Sequence, residues 1–221
     1  ELVVTVLVTG CNRGIGLEVC RQYRGRNDSV LGVCRQSNAE LAALGIRVID
    51  NIDVSNADDV AKLANTVGDE PVDILLNNAG IGGWDKLDTI DFDLMIQQYH
   101  INTLGPLRVT KALQKNLSDG SKVGIVSSRV GSIEDNGSGD NYGYRCSKAA
   151  VNMVGVNLHH DLSPKGIAVA LLHPGYVATD MTGGEGISPV DSAAGLIARL
   201  DELNLENSGG FWHAEGYTLP W

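Results

Sequence analysis

Short runs of consecutive apolar residues recur along this chain, and most are followed by a polar or glycine-rich stretch and then by a segment in which apolar residues return every three or four positions. The runs predict strands buried on both faces, because a strand with one wet face would alternate instead. They fall at residues 2–8, 29–34, 72–76, 122–126 and 168–172, with a third strand expected near 47–51 and a short edge strand at 209–212. The segments between them predict helices. One opens through Leu17, Val19 and Cys20, an amphipathic one covers 56–67, and a long one covers 91–117 with an interruption near Gly105-Pro106. Another runs on from Tyr144 through Leu158, and the last covers 191–203. Strands alternating with helices imply an α/β fold: a doubly wound parallel sheet of about seven strands, with right-handed crossovers and helices on both faces.

Composition narrows the partners more than the fold. The 221 residues suffice for a substantial core, and with no internal repeat, low-complexity tract or long linker, one domain over 1–221 is the economical reading. Seventeen basic against 27 acidic residues give a net charge of -10, which opposes general attraction to nucleic acid or an anionic membrane. The four cysteines, Cys11, Cys20, Cys34 and Cys146, have neither C-x-x-C nor zinc spacing, so no metal site is expected. Scattered thiols suit a reducing cytoplasm. The opening residues have no basic leader, and the apolar run at 2–8 is too short to span a bilayer.

Candidate chemistry sits where strands end. After the first strand comes Thr9-Gly10-Cys11-Asn12-Arg13-Gly14-Ile15-Gly16, and then a helix opens. Glycine permits unusual dihedrals and close backbone approach, and a helix N-terminus presents free N–H groups to an anion. The string could be a simple tight turn, but its place at the first strand-to-helix turn favours a nucleotide phosphate. The second strand ends in Cys34-Arg35 with no acid there to bond a ribose 2′-hydroxyl. Arg35 and Arg13 are either solvated surface residues or a clamp for a 2′-phosphate, which would favour NADP over NAD. Asn77-Asn78-Ala79-Gly80 ends the fourth strand, where the asparagines would form a turn or tie neighbouring strands. Ser127-Ser128 ends the fifth. Tyr144 and Lys148 stand four residues apart, about one helical turn, so both leave on one face. A nearby ammonium would lower the phenol's pKa of about 10 and suit it to acid/base work. As a bare match the pair could equally be a solvated helix face.

Together these residues resemble the short-chain dehydrogenase/reductase family over nearly the whole chain. The family's T-G-x-x-x-G-x-G is met by Thr9, Gly10, Gly14 and Gly16, its N-N-A-G by residues 77–80, its Y-x-x-x-K by Tyr144 and Lys148, and its P-G by Pro174-Gly175. The resemblance implies a single-domain Rossmann fold. It implies a catalytic set of Asn102, Ser128, Tyr144 and Lys148, with Ser127 the alternative serine. For the cofactor it implies Asp53 against the adenine, Thr179 on the nicotinamide carboxamide, and further contacts from Asn12, Ile15, Val54, Asn78, Ala79, Gly80 and Val177. Arg13 and Arg35 match the branch that prefers NADPH/NADP. The gap from Ser128 to Tyr144 is a few residues longer than is common.

A narrower likeness, to the C-factor and sniffer group of carbonyl reductases, lies in residues 102–107, 142–145, 173–175, and a tail running from 208–211 to 219–221. It implies reduction of an aldehyde or ketone by NADPH, with Tyr144 as general acid and no need of a metal. The alternatives are an NAD-linked alcohol or 3-oxoacyl oxidoreductase and a non-catalytic dinucleotide-binding signalling protein. The short, glycine-rich segment 182–189 implies an open lid, with Trp84, Arg129, Tyr176 and Met181 as walls. Arg129 would alternatively take a carboxylate of the substrate. A homodimer or homotetramer through the long helices is a further expectation.

Overall fold

The computed structural model describes residues 3–221. Seven strands form one all-parallel sheet: β1 (Thr5–Thr9), β2 (Ser29–Val33), β3 (Arg47–Ile49), β4 (Ile74–Asn77), β5 (Lys122–Val126), β6 (Ala168–His173) and β7 (Phe211–His213). Their spatial order is β3-β2-β1-β4-β5-β6-β7. The order reverses between β1 and β4, and a crevice therefore opens there at the C-terminal ends of the strands.

The apolar runs divide their side chains between two cores. Leu7, Leu31, Leu75, Val123, Ile125, Val169 and Leu171 point to one face. There they meet α3 (Ala57–Val67), α5 (Gly105–Ala112) and α6 (Tyr142–Leu162) through Val60, Leu63, Val109, Leu113, Val151 and Leu158. Val6, Val8, Val30, Ile74, Leu76, Ala170 and Leu172 point the other way. They meet α1 (Gly14–Gly25), α2 (Ala39–Ala42) and α7 (Pro189–Glu202) through Leu17, Tyr23, Leu41, Leu196 and Leu200. Each fully buried leucine of this kind stabilises the fold by about 1.5–3 kcal/mol, which is why the runs are continuously apolar.

Several boundaries differ from the sequence expectation. The first strand starts at Thr5, not in the apolar run's opening residues, and Leu2 lies outside the described residues. The long helix expected at 91–117 is four pieces: α4 (Phe92–Gln98), a π-helical turn Tyr99–Leu104, α5, and a 3₁₀ turn Gln114–Asn116. Pro106 falls in the first turn of α5, where its missing N–H costs nothing, so the distortion lies before Gly105-Pro106 and carries Asn102 with it. The thiols of Cys11, Cys20 and Cys34 are not scattered in space. β1 and β2 are neighbours and α1 covers them, so all three lie buried in one core, and only Cys146 is exposed.

Candidate active site

The glycine turn is shaped by β4 as much as by its own sequence. Gly10 has φ +68°, and a Cβ there would come within 2.8 Å of the Ala79 Cα. A Cβ at Gly16 would come 2.5 Å from Asn78 Nδ2 and closer still to the Gly10 carbonyl. Asn78 Nδ2 donates to the carbonyls of Thr9 and Gly10, both at 3.1 Å. In return the Thr9 hydroxyl accepts from the amides of Asn78 and Ala79 at 3.0 and 3.1 Å. Asn77 turns away and donates to Thr110 Oγ1 at 3.1 Å. Asn78 is thus the tie between the two strand ends, while Asn77 fastens β4 to α5, and the tie holds a glycine-lined cradle at the N-terminus of α1 that fits an anion.

The cationic residues near this cradle are placed differently from a simple clamp. Arg13 Nη1 is paired with Asp180 at 2.8 Å, both side chains being well exposed at 66% and 78%. Arg35 is exposed at the end of β2. Its charge reaches Asp53, where burial pushes the carboxyl up but bonds from the Ser55 hydroxyl and amide, together with Arg35, leave it below its ordinary value. Asn12 Nδ2 donates to the Gln36 carbonyl, so the turn is pinned to the same segment.

The reacting end lies across the sheet. Ser128 caps a 3₁₀ turn, Arg129–Gly131, with its Oγ accepting from the Val130 amide at 3.4 Å. Ser127 faces the opposite way and donates to Asn152 Oδ1 at 2.6 Å in the interior, which separates the two serines. Tyr144 lies in the first turn of α6. Burial pushes its phenol up to about 12, and the nearby Ser128 hydroxyl pulls it back only in part. Lys148 Nζ lies 5.6 Å from the Tyr144 ring centre and donates to the Val126 carbonyl at 2.9 Å. Burial lowers its own pKa to about 8. The expected acidification of the phenol by the ammonium is therefore not what this structure shows: the lysine is anchored on β5, and desolvation dominates both groups.

Asn102, on the π-helical turn, is wholly buried. Its Oδ1 accepts from the Ile81 amide at 2.8 Å, and its Nδ2 donates to the Ile81 carbonyl at 2.9 Å and to Ser147 Oγ at 3.0 Å. It thereby connects the loop after β4 to α6 one residue before Lys148. A family model for short chain dehydrogenase matches residues 4–187.

The chain belongs to the short-chain dehydrogenase family. It is similar to the 1-hydroxy-2-glutathionyl-2-methyl-3-butene dehydrogenase of Rhodococcus sp. (strain AD45), with 47% identity across 98% of this chain and 99% of the relative. It is also similar to the C-signal of Myxococcus xanthus, with 44% identity across 72% of this chain and 98% of the relative. In three dimensions it matches the NADPH-bound carbonyl reductase from chicken fatty liver at TM-score 0.89, with 30% identity and full coverage of both chains.

In this family member the residues expected at the crevice are brought to one edge of the sheet, and the structure adds contacts that the sequence reading missed. Thr179 packs on Gly14, Asp180 pairs with Arg13, and Met181 closes on Gly82, so the turn Asp180–Thr182 forms a strap across the crevice. Ile187 bonds back to Tyr176 and Ala178, closing the glycine-rich loop on itself. Behind Ser128, His173 stacks edge-on against His213 at 4.9 Å, with its Nδ1 buried and without a partner. Burial, then the charges of Arg129 and Lys148 and the His213 ring, bring its pKa down to about 3, so it is neutral. Only the proximity of two histidines in the fold could have revealed this pair, since 40 residues separate them in the chain. Among the described residues no helix is long and apolar enough to cross a membrane.

Proposed function

We propose that this dehydrogenase reduces the carbonyl group of aldehydes or ketones to alcohols with NADPH. The observation that carries this reading is the meeting of the Ser128 hydroxyl, the Tyr144 phenol and the Lys148 ammonium at the same sheet edge as the glycine cradle. The NADPH-bound state of the chicken carbonyl reductase supports the choice of cofactor. Gly10, Gly14 and Gly16 would admit the pyrophosphate, Asp53 and Val54 would face the adenine, and Arg13 and Arg35 would take the 2′-phosphate. Pro174, Gly175, Val177 and Thr179 would hold the nicotinamide end. Held there, NADPH would supply hydride to the carbonyl carbon.

The chain's own residues handle the oxygen and the proton. Ser128 donates a hydrogen bond to the carbonyl oxygen and orients it. Tyr144, with its pKa raised to about 12, keeps its proton at neutral pH and gives it up only as negative charge develops on that oxygen. Lys148, brought down to about 8, stabilises the transient phenolate and exchanges protons near neutrality. Asn102 fixes the Ile81 segment beside it. General acid catalysis of this kind contributes about 10² to 10⁴ in rate.

The Rhodococcus relative, a dehydrogenase, favours a second reading in which the same residues oxidise an alcohol, Tyr144 accepting the hydroxyl proton as the phenolate while hydride passes to NADP. Oxidation of NADPH by a panel of aldehydes and ketones tests the first reading, and reduction of NADP by alcohols tests the second. Tyr144→Phe should lower turnover by about 10² to 10⁴ while NADPH affinity stays within about twofold. Full turnover by that variant would overturn the assignment of Tyr144, and no turnover in either direction would favour a signalling protein.

A further inference from the structure

The cations around Ser128 are unequally engaged. Arg145 donates to the Gly139 and Asp140 carbonyls through Nε, to the Val130 carbonyl through Nη1 and to Ser138 Oγ through Nη2. Lys148 is anchored on the Val126 carbonyl. Arg129 uses only Nε, in an ion pair with Asp135, and among the described residues its two Nη atoms have no protein partner. Its side chain is 52% exposed, so the open end of the guanidinium fork faces solvent.

The backbone beneath that fork is held in place. Arg129 opens the 3₁₀ turn that Ser128 caps, and Gly131 closes it against α6, where a Cβ would come 2.7 Å from the Lys148 carbonyl carbon. The turn is therefore pressed onto the helix that carries Tyr144 and Lys148. On the far side, His213 stacks on Tyr217 at 4.5 Å as well as on His173, and the Arg129 charge helps to keep both imidazoles neutral. With those imidazoles uncharged, an anion next to Arg129 meets that guanidinium and its paired carboxylate, Asp135, which the Arg145 charge also reaches. A guanidinium with both Nη atoms open matches a carboxylate in two parallel hydrogen bonds.

We propose that Arg129 is a specificity residue that binds a carboxylate on the substrate, with Asp135 the internal carboxylate that the substrate competes with. This rests on Ser128 and Tyr144 being the reacting site. The substrate class is then a carbonyl compound carrying a carboxylate beyond its reacting end, even though the protein's net charge of -10 repels anions in general.

The test compares 4-carboxybenzaldehyde with 4-formylbenzamide, nearly the same in shape and different in charge. The wild type should prefer the acid in kcat/KM by about tenfold or more, as expected for a charge-assisted hydrogen-bonded pair. Arg129→Met should erase that ratio, mainly through KM, and Asp135→Asn should increase it. A ratio unchanged in both variants, or an amide used as well as the acid by the wild type, would overturn the proposal. If neither aldehyde is reduced, the reductase reading fails, and equilibrium titration of benzoate against benzamide still reads the site. Benzoate binding that is lost in Arg129→Met supports it, and equal binding of the two compounds overturns it. Unfolding curves of both variants establish that they are folded.

Discussion

The Arg13 guanidinium meets the Asp180 carboxylate at 2.8 Å, joining the glycine turn after β1 to the strap after β6. If Arg13 serves the cofactor's 2′-phosphate, Asp180 competes with that phosphate for the same cation. Both groups are well exposed, and such pairs contribute about 0–1 kcal/mol. Asp180→Asn should therefore tighten NADPH by no more than about fivefold and leave NADH unchanged. Titration by nucleotide fluorescence at low and at high salt checks this. Equal tightening of both nucleotides would show that the variant acts by loosening the strap and not by freeing Arg13.

Lys148 gives a pH dependence with a definite sign. Its ordinary pKa is 10.5 and its folded value about 8, so between these the unfolded chain binds the extra proton. Stability attributable to this group therefore rises with pH across that window, and the penalty of burying its charge is fully present below pH 8. Against Lys148→Met, the wild type should gain up to about 3 kcal/mol between pH 8 and 10.5. Urea unfolding at a series of pH values measures it. A constant difference across the window would mean that the ammonium is not desolvated.

Asn102→Leu should be costly out of proportion to the change in volume. It would leave both the amide and the carbonyl of the half-buried Ile81 without their partner. The expected loss is about 2–4 kcal/mol, lowering Tm by about 5–15 °C. Thermal unfolding reads this directly, and a Tm within a degree of wild type would mean that water replaces the side chain.

The parts legible in the sequence are those set by local rules. β5 spans the predicted 122–126 because Val123, Gly124 and Ile125 are buried at its centre, between the helices on the two faces. The glycine turn, the asparagine pair and Ser128 were readable because strand ends converge in a parallel sheet. The helix interruption near Gly105-Pro106 was legible, but its form, a π-helical turn that ends just before them, was not, because a proline in the first turn of a helix looks, in sequence, like a proline that ends one. Asp180 and the His173–His213 pair were invisible for a different reason. Arg13 and Asp180 are 167 residues apart, and nothing in either neighbourhood signals the other. The electrostatics of Tyr144 and Lys148 were misread because spacing gives proximity but not burial, and burial dominates both shifts.

The four hydrogen bonds between Thr9-Gly10 and Asn78-Ala79 have a mechanical consequence. They weld the two strands that flank the crevice at its deepest point, and so the floor cannot spread to admit a guest. The opposite wall is held by one solvent-exposed ion pair and the packing of Thr179 and Met181 on glycines. Compliance is thus concentrated on one side, and a nucleotide would enter this crevice by lifting its roof rather than by parting its walls.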